Sequence, residues 1–171
     1  MSATSVFEAT AGGNLRWPGG QARCVLGRSG VIEATTKREG DGATPLGAWP
    51  MQRVFYRPDR ISSPQTHLPV VALAPGMGWC DDPASPDYNH MIVLPFTASH
   101  EKLWREDGLY DLIVELGYND APVVSGRGSA IFLHVAAPGF SPTEGCVATD
   151  ITALLSLIAL ASPGDSLAIV R

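Results

Sequence analysis

The stretch Ile131-Phe132-Leu133-His134-Val135-Ala136-Ala137-Pro138-Gly139-Phe140-Ser141-Pro142-Thr143-Glu144-Gly145-Cys146-Val147 carries the most information in the chain. It opens as an apolar run of strand length that ends on a histidine. Pro138-Gly139 then breaks the chain. Twelve residues after the histidine a cysteine follows a glycine, and Asp150 stands where a helix N-cap belongs. The order is strand, turn, loop, thiol, helix.

Upstream, residues 6–9, 15–17, 22–26 and 31–34 read as strands of successive hairpins. They are separated by Ala11-Gly12-Gly13-Asn14, Pro18-Gly19-Gly20 and Arg28-Ser29-Gly30, all turn chemistry. The Gly/Pro loop Lys37-Arg38-Glu39-Gly40-Asp41-Gly42-Ala43-Thr44-Pro45-Leu46-Gly47 leads into a strand at 49–56. Further strands are expected at 70–73, 91–94, 112–115, 130–135 and 167–170. Helices are few: a short one at 99–106, and a better one at 151–161 that stops at Ser162-Pro163-Gly164-Asp165. The class is mainly β, a sandwich or curled sheet with one or two short helices.

Composition bounds the rest. The length of 171 residues suits one domain, 1–171, and 45% hydrophobic with 17% charged residues is a globular balance. The 18 glycines and 14 prolines follow no period, which excludes collagen and argues against a helix bundle. A net charge of −5 leaves no basic footprint for duplex nucleic acid and no polybasic membrane patch. The longest mostly apolar helical stretch, 151–161, falls short of the about 20 residues a membrane span needs. Residues 1–10 lack the apolar core of a secretory leader, so no signal peptide is visible.

Cys24, Cys80 and Cys146 form no CxxC, and an odd count leaves at least one thiol unpaired within the chain. His67, His90 and His100 are scattered without metal-ligand spacing, so no metal is expected. Gly126-x-Gly128 precedes a strand rather than a helix, the Gly40–Gly47 loop lacks Gly-Lys-Ser/Thr, and no G-x-S-x-G occurs.

What remains is Cys146 with His134. A free thiol titrates near ~8.5, and an adjacent imidazole that takes its proton leaves a thiolate–imidazolium pair. Gly145 lets backbone approach a substrate carbonyl, and amides around Gly145 and Cys146 would donate to an oxyanion. One such donor is worth roughly 2.7–4 kcal/mol of barrier. From the residues alone, a structural thiol is as open a reading of Cys146 as a nucleophile, and His134 reads first as a satisfied strand-end histidine.

His134 with Thr143-x-Gly145-Cys146-Val147 resembles the signature of the L,D-transpeptidase catalytic domain, the YkuD-like family. Lys37…Gly42-x-Thr44-Pro45-x-Gly47-x-Trp49 matches that family's strand entry. Gly78-Trp79-Cys80-Asp81-Asp82-Pro83 and Leu103-Trp104-Arg105-Glu106-Asp107-x-Leu109-Tyr110-Asp111 look like a divergent subgroup of it. The resemblance spans roughly residues 20–171. It implies a β-sandwich cysteine transpeptidase acting on peptidoglycan stem peptides. Cys146 would attack the carbonyl at the L-centre of diaminopimelate and expel D-Ala, and an amine from a second stem would resolve the thioester into a cross-link. His134 would be the base and then the acid. The family needs no metal or cofactor. The resemblance also implies acylation of Cys146 by carbapenem β-lactams and a place in the periplasm or cell wall. Hydrolysis of the same thioester, by an L,D-carboxypeptidase or amidase, is one alternative; a wall-binding module without turnover is the other.

The chain departs from the family pattern at Glu144, where histidine is common, at Ala148, where arginine is, at Thr143, usually serine, and at Val135, usually glycine. Arg127, in Ser125-Gly126-Arg127-Gly128-Ser129, is the expected replacement cation for a substrate carboxylate. Ser141 is expected to order the loop, and Thr143 with Gly145 to shape the oxyanion site. Glu144 reads equally as a solvated acid and as a substrate contact. Trp79 and Tyr88, in the loop with Cys80, Asp81 and Asp82, are candidates to line the acceptor cleft; the alternative is a packed aromatic turn. Trp104 and Tyr110 read as core.

Overall fold

A computed structural model describes residues 6–171; residues 1–5, at the start of the segment read as lacking a leader, lie outside it. With 37% of the chain in strands and 5% in helix, the class is mainly β. Strands β1 (Phe7–Thr10), β2 (Asn14–Trp17) and β3 (Gly20–Val25) form the antiparallel meander that the Gly-rich turns dictate. β4 is Val31–Glu33, and β5, Thr44–Tyr56, is the longest strand. β6 is Val70–Ala72, β7 Met77–Cys80, β8 Met91–Val93 and β9 His100–Lys102. β10 (Leu112–Leu116), β11 (Phe132–Val135), β12 (Val147–Thr149), helix α1 (Ile151–Ile158) and β13 (Ser166–Val170) complete the chain.

The large sheet closes on itself. Residues 47–50 of β5 pair with β13, while residues 51–56 pair with β10. The circuit then runs β10–β11–β12–β3–β2–β1–β13 and back to β5. One long strand serving both ends joins the two faces of the sandwich and leaves no edge in the circuit. β4 and β6 add to β5 in parallel. A separate three-stranded sheet, in the order β8-β7-β9, lies apart from the circuit.

Two hydrophobic clusters follow from strand alternation. Val54, Leu112, Val114 and Leu133 point into the main core with Leu154, Leu157 and Ile158 of α1. Phe55, Ile113 and Phe132 point the other way, into a second cluster with Leu73, Trp79, Leu103 and Tyr110. A strand buried on both faces reads as an unbroken apolar run, as 112–114 and 131–133 do. Asp150 caps α1 by accepting from the Ala153 amide at 2.9 Å. The helix ends at Ile158 rather than 161, because Pro163 bars continuation and Leu160 faces solvent. Among the described residues no helix is long and apolar enough to cross a membrane.

The expected helix at 99–106 is absent. Residues 100–102 are strand β9, held by pairing of Cys80 with His100, Trp79 with Glu101 and Gly78 with Lys102. Eight residues of modest helix propensity yield to a long-range ladder. β7 and β12 are short strands that lie outside the segments whose local sequence predicts strand. β7 begins at Met77-Gly78, where Gly78 brings backbone so close that a Cβ would stand 2.9 Å from the Glu101 carbonyl.

The second cluster is as much a core as the first. Phe132→Ala, removing a fully buried ring from between Trp79 and Tyr110, is expected to cost about 3–5 kcal/mol in urea unfolding. A loss below about 1 kcal/mol would show that this side carries no stability.

Candidate active site

β11 and β12 run parallel, with Leu133 opposite Val147 and His134 opposite Ala148. That register sets Cys146 beside Phe132. Laterally paired residues face the same way, and alternate residues along a strand share a face. Phe132, His134, Cys146 and Ala148 therefore occupy one face, away from the main core, with His134 one pleat from the sulfur. Both side chains line a cavity of about 980 Å³.

The sulfur is held by backbone. Its thiol donates to the Ala130 carbonyl at 3.1 Å, and the Phe132 amide donates to it at 3.4 Å. His134 Nδ1 lies 2.8 Å from the Val135 carbonyl. A carbonyl only accepts, so in the neutral ring Nδ1 carries the proton and Nε2 keeps its lone pair. Tyr110 meets the imidazole edge-on at 5.2 Å. No hydrogen bond joins the sulfur to the ring among the described residues.

Ala130 has a left-handed φ of 52°, which for a residue with a Cβ costs about 1–2 kcal/mol. Asn89 holds it there. Its Oδ1 accepts from the Ala130 amide at 3.0 Å and from Trp79 Nε1 at 3.0 Å, and its Nδ2 donates to the Tyr118 and Asn119 carbonyls. The carbonyl of this strained residue is the one that accepts the thiol hydrogen bond, strain of the kind found at functional sites.

The cysteine loop is fixed from beneath. Thr143 Oγ1 accepts from the Gly145 amide at 3.1 Å and donates to the Cys146 carbonyl at 2.6 Å. The Gly145 amide is thus engaged, and the expected oxyanion donor pair is reduced to the amide of Cys146 itself. Gly145 has φ 143°, and a Cβ there would stand 2.9 Å from the Ala43 carbonyl, so only glycine fits. Ala43 belongs to the loop that Lys37 braces. The Lys37 ammonium is buried and donates to Asp41 at 2.6 Å and to the Arg38 carbonyl at 2.8 Å.

Burial, followed by the negative charge of Glu101, pushes the Cys146 thiol up to about 12; the Phe132 amide and Lys37 oppose this. Burial pulls the His134 imidazole down to about 4, with the charge of Arg105 adding to it, against the Val135 and Leu109 carbonyls and Asp107. The resting pair is therefore neutral thiol and neutral imidazole. The expected thiolate–imidazolium pair is not favoured in a site walled by Phe132 and Tyr110. Glu101, pushed up by burial, accepts from the Tyr110 hydroxyl at 2.7 Å.

Cys146, His134, Gly145, Ser141, Thr143 and Glu144 all line the cavity. Glu144 is exposed and pairs with Arg28 Nε at 2.9 Å. Thr143, not Ser141, orders the loop. Three residues expected at substrate stand elsewhere. Arg127 does not line the cavity; its Nη1 donates to the Thr35 carbonyl at 2.5 Å. Trp79 is buried in the second cluster, edge-on to Phe132 at 5.1 Å, which is the packed aromatic turn. Tyr88 is buried behind the wall, donating to Glu39 at 2.5 Å and accepting from the Gly128 amide at 2.9 Å. Tyr110 is core as expected, buried in the second cluster with Trp104 packed against it, and both residues also line the cavity. Cys24 and Cys80 are buried thiols, Cys24 within the main core. Among the described residues no three His, Cys, Asp or Glu side chains are grouped to hold a metal ion.

A family model described as the L,D-transpeptidase catalytic domain (YkuD) matches residues 3–170. No curated protein and no solved structure matches the chain.

With the thiol raised to about 12 and the imidazole lowered to about 4, neither group titrates between pH 6 and 9. Alkylation of Cys146 by iodoacetamide in the free protein is expected to rise about tenfold per pH unit across that range, following thiolate fraction. Peptide mass mapping reads the site. A rate plateau below pH 7 would instead reveal a standing thiolate–imidazolium pair.

Proposed function

The chain belongs to the L,D-transpeptidase catalytic-domain family, whose members are cysteine-dependent enzymes acting on peptidoglycan peptides, and we propose that it is a peptidoglycan L,D-transpeptidase with Cys146 as nucleophile and His134 as base. The observation that supports this most is the placement of both side chains on one face of β11–β12, one pleat apart, in a single cavity. The His134 ring offers its Nε2 lone pair to that cavity because Nδ1–H is held by the Val135 carbonyl.

The donor stem peptide enters with its scissile carbonyl over the sulfur. As the sulfur attacks, the thiol proton passes to His134 Nε2, the new C–S bond forms, and the carbonyl oxygen becomes an oxyanion. The Cys146 amide donates to it. The tetrahedral species collapses by breaking the C–N bond, and His134 returns its proton to the departing amine of D-Ala. An acceptor amine then attacks the thioester, gives its proton to His134 and releases the thiol as the cross-link forms. Transfer of a proton between two groups that begin neutral needs no standing charge in the site. The ion pair exists only while the substrate excludes water and supplies the oxyanion that balances it.

The family is typically extracytoplasmic, and the proposed workplace is the periplasm or cell wall. The same thiol is the proposed point of carbapenem acylation.

Incubation of the protein with purified tetrapeptide muropeptides is expected to give cross-linked dimers by mass spectrometry, and none with Cys146→Ala. Trimmed monomers alone would assign a hydrolase. Binding to peptidoglycan with no covalent adduct on Cys146, with either muropeptide or a carbapenem, would leave a wall-binding module.

A further inference from the structure

The cations that line the cavity are Lys37, Lys102 and Arg105. Lys37 is engaged by Asp41 and the Arg38 carbonyl, and Lys102 is exposed on β9. Arg105 is different. Its Nε donates to both oxygens of Asp107 at 3.1 Å, and its Nη2 donates to the same carboxylate. One edge of the guanidinium is thereby fixed. The opposite edge, formed by Nη1 and the second hydrogen of Nη2, has no partner among the described residues.

That free edge is held in a defined place. The Arg105 carbonyl accepts from Arg57 Nη1, and the Arg57 guanidinium stacks on Trp104 at 3.6 Å. The Arg105 guanidinium itself lies 5.1 Å from the Tyr110 ring centroid, and that ring lies 5.2 Å from the His134 ring. Arg105, Tyr110 and His134 thus form a continuous wall. The nearby carboxylates of Glu39 and Glu101 are capped by hydroxyls of Tyr88, Ser129 and Tyr110.

The reaction fixes which part of a donor reaches this wall. The departing amine takes its proton from His134, so the departing residue lies on the His134 side of the sulfur. Its carboxylate is one Cα beyond that amine. We infer that Arg105 recognises the C-terminal carboxylate of the donor stem peptide through its free guanidinium edge. A planar fork meets a carboxylate with two parallel, charge-assisted hydrogen bonds. Docking has a second consequence, since Arg105 is one of the charges that disfavour the protonated imidazole. A carboxylate seated on it offsets that charge as proton transfer begins. The inference rests on the Cys146–His134 reading above and names the substrate group that the site selects.

The test compares a tetrapeptide donor with its C-terminal carboxamide. For acylation of the wild type, kcat/KM is expected to favour the acid by roughly tenfold or more, the worth of a charge-assisted pair. Arg105→Gln, which keeps the stem over Tyr110, is expected to bring the ratio near one, and Arg105→Lys to restore part of it. Arg127→Ala, outside the cavity, keeps the wild-type ratio. The same two peptides are titrated by calorimetry onto Cys146→Ala and onto Cys146→Ala/Arg105→Gln. An acid preference that survives Arg105→Gln overturns the inference while leaving the thiol mechanism intact. No thioester in the wild type, with an Arg105-dependent preference in binding, overturns the thiol mechanism and leaves the inference standing. No preference for the acid in either assay overturns the inference.

Discussion

Parallel pairing of β11 with β12 is the constraint on which the site depends. Two parallel neighbours cannot be joined by a tight turn, because the chain must travel back along the full strand length before it can run forward again. Here the return path is the segment 136–146, and its last residue lands level with Phe132, at the start of β11 rather than at its end. The twelve-residue separation of His134 and Cys146 is the length of that return. An antiparallel hairpin would bring the histidine into register with a residue just beyond the turn and leave the cysteine on some other strand. A slip of one residue in the ladder would turn the sulfur into the main core, with Leu133 and Val147.

The same ladder places the sulfur in the second hydrophobic cluster, and burial then decides its resting chemistry. Phe132, Tyr110 and Trp79 provide a wall with little capacity to solvate charge. The thiol stays protonated, its S–H donating to the Ala130 carbonyl, and the imidazole stays neutral. Maintaining that carbonyl requires a left-handed alanine, and the left-handed alanine requires Asn89. Asn89 is buried with four hydrogen bonds to its side chain, so it acts as a rigid bracket between the small sheet's loop, residues 118–119 and the sulfur. Energy stored in the backbone at Ala130 is offset by contacts that lie away from the substrate path.

Much of this was legible in the sequence because it is local. The hairpin turns at Gly12-Gly13 and Gly19-Gly20, the Asp150 cap and the apolar runs at 112–114 and 131–133 all declare themselves within a few residues. The Gly145-Cys146 pair and the preceding histidine carried enough pattern for the family. What failed was non-local. Helix propensity at 99–106 lost to a ladder whose partner lies some twenty residues earlier, at 78–80. Arg127 precedes the His134 strand in sequence, yet its carbonyl accepts from the Tyr118 hydroxyl and its guanidinium donates to the Thr35 carbonyl outside the cavity. Tyr88 and Trp79 sit in a loop whose composition suits binding, but their hydroxyl and indole N–H are directed inward to Glu39 and Asn89. Asn89 and Glu101 gave no signal at all, since neither belongs to a motif with spacing of its own, and Tyr110 read as core with nothing to mark its place in the cavity wall.

The departures at Glu144 and Ala148 acquire a physical meaning from this arrangement. Both positions line the cavity, and neither can present a positive charge to a substrate. Glu144 turns toward Arg28 at the mouth, and Ala148 is a methyl group opposite His134 in the ladder. A cysteine loop without a cation needs one from another element if the site is to hold an anionic peptide end. The wall that faces it, residues 102–110, is built to hold one. Arg57 beneath Trp104, Asp107 along one edge of Arg105, and the Tyr110 ring under its plane together restrict a side chain that would otherwise lose considerable rotamer freedom on binding. Preorganisation of this kind is effective because the ordering has already taken place during folding, so it is not charged against the affinity for substrate. On the proposed reading, recognition moves from the loop that carries Cys146 to the wall that carries Arg105, while the ladder that aligns sulfur and imidazole stays the same.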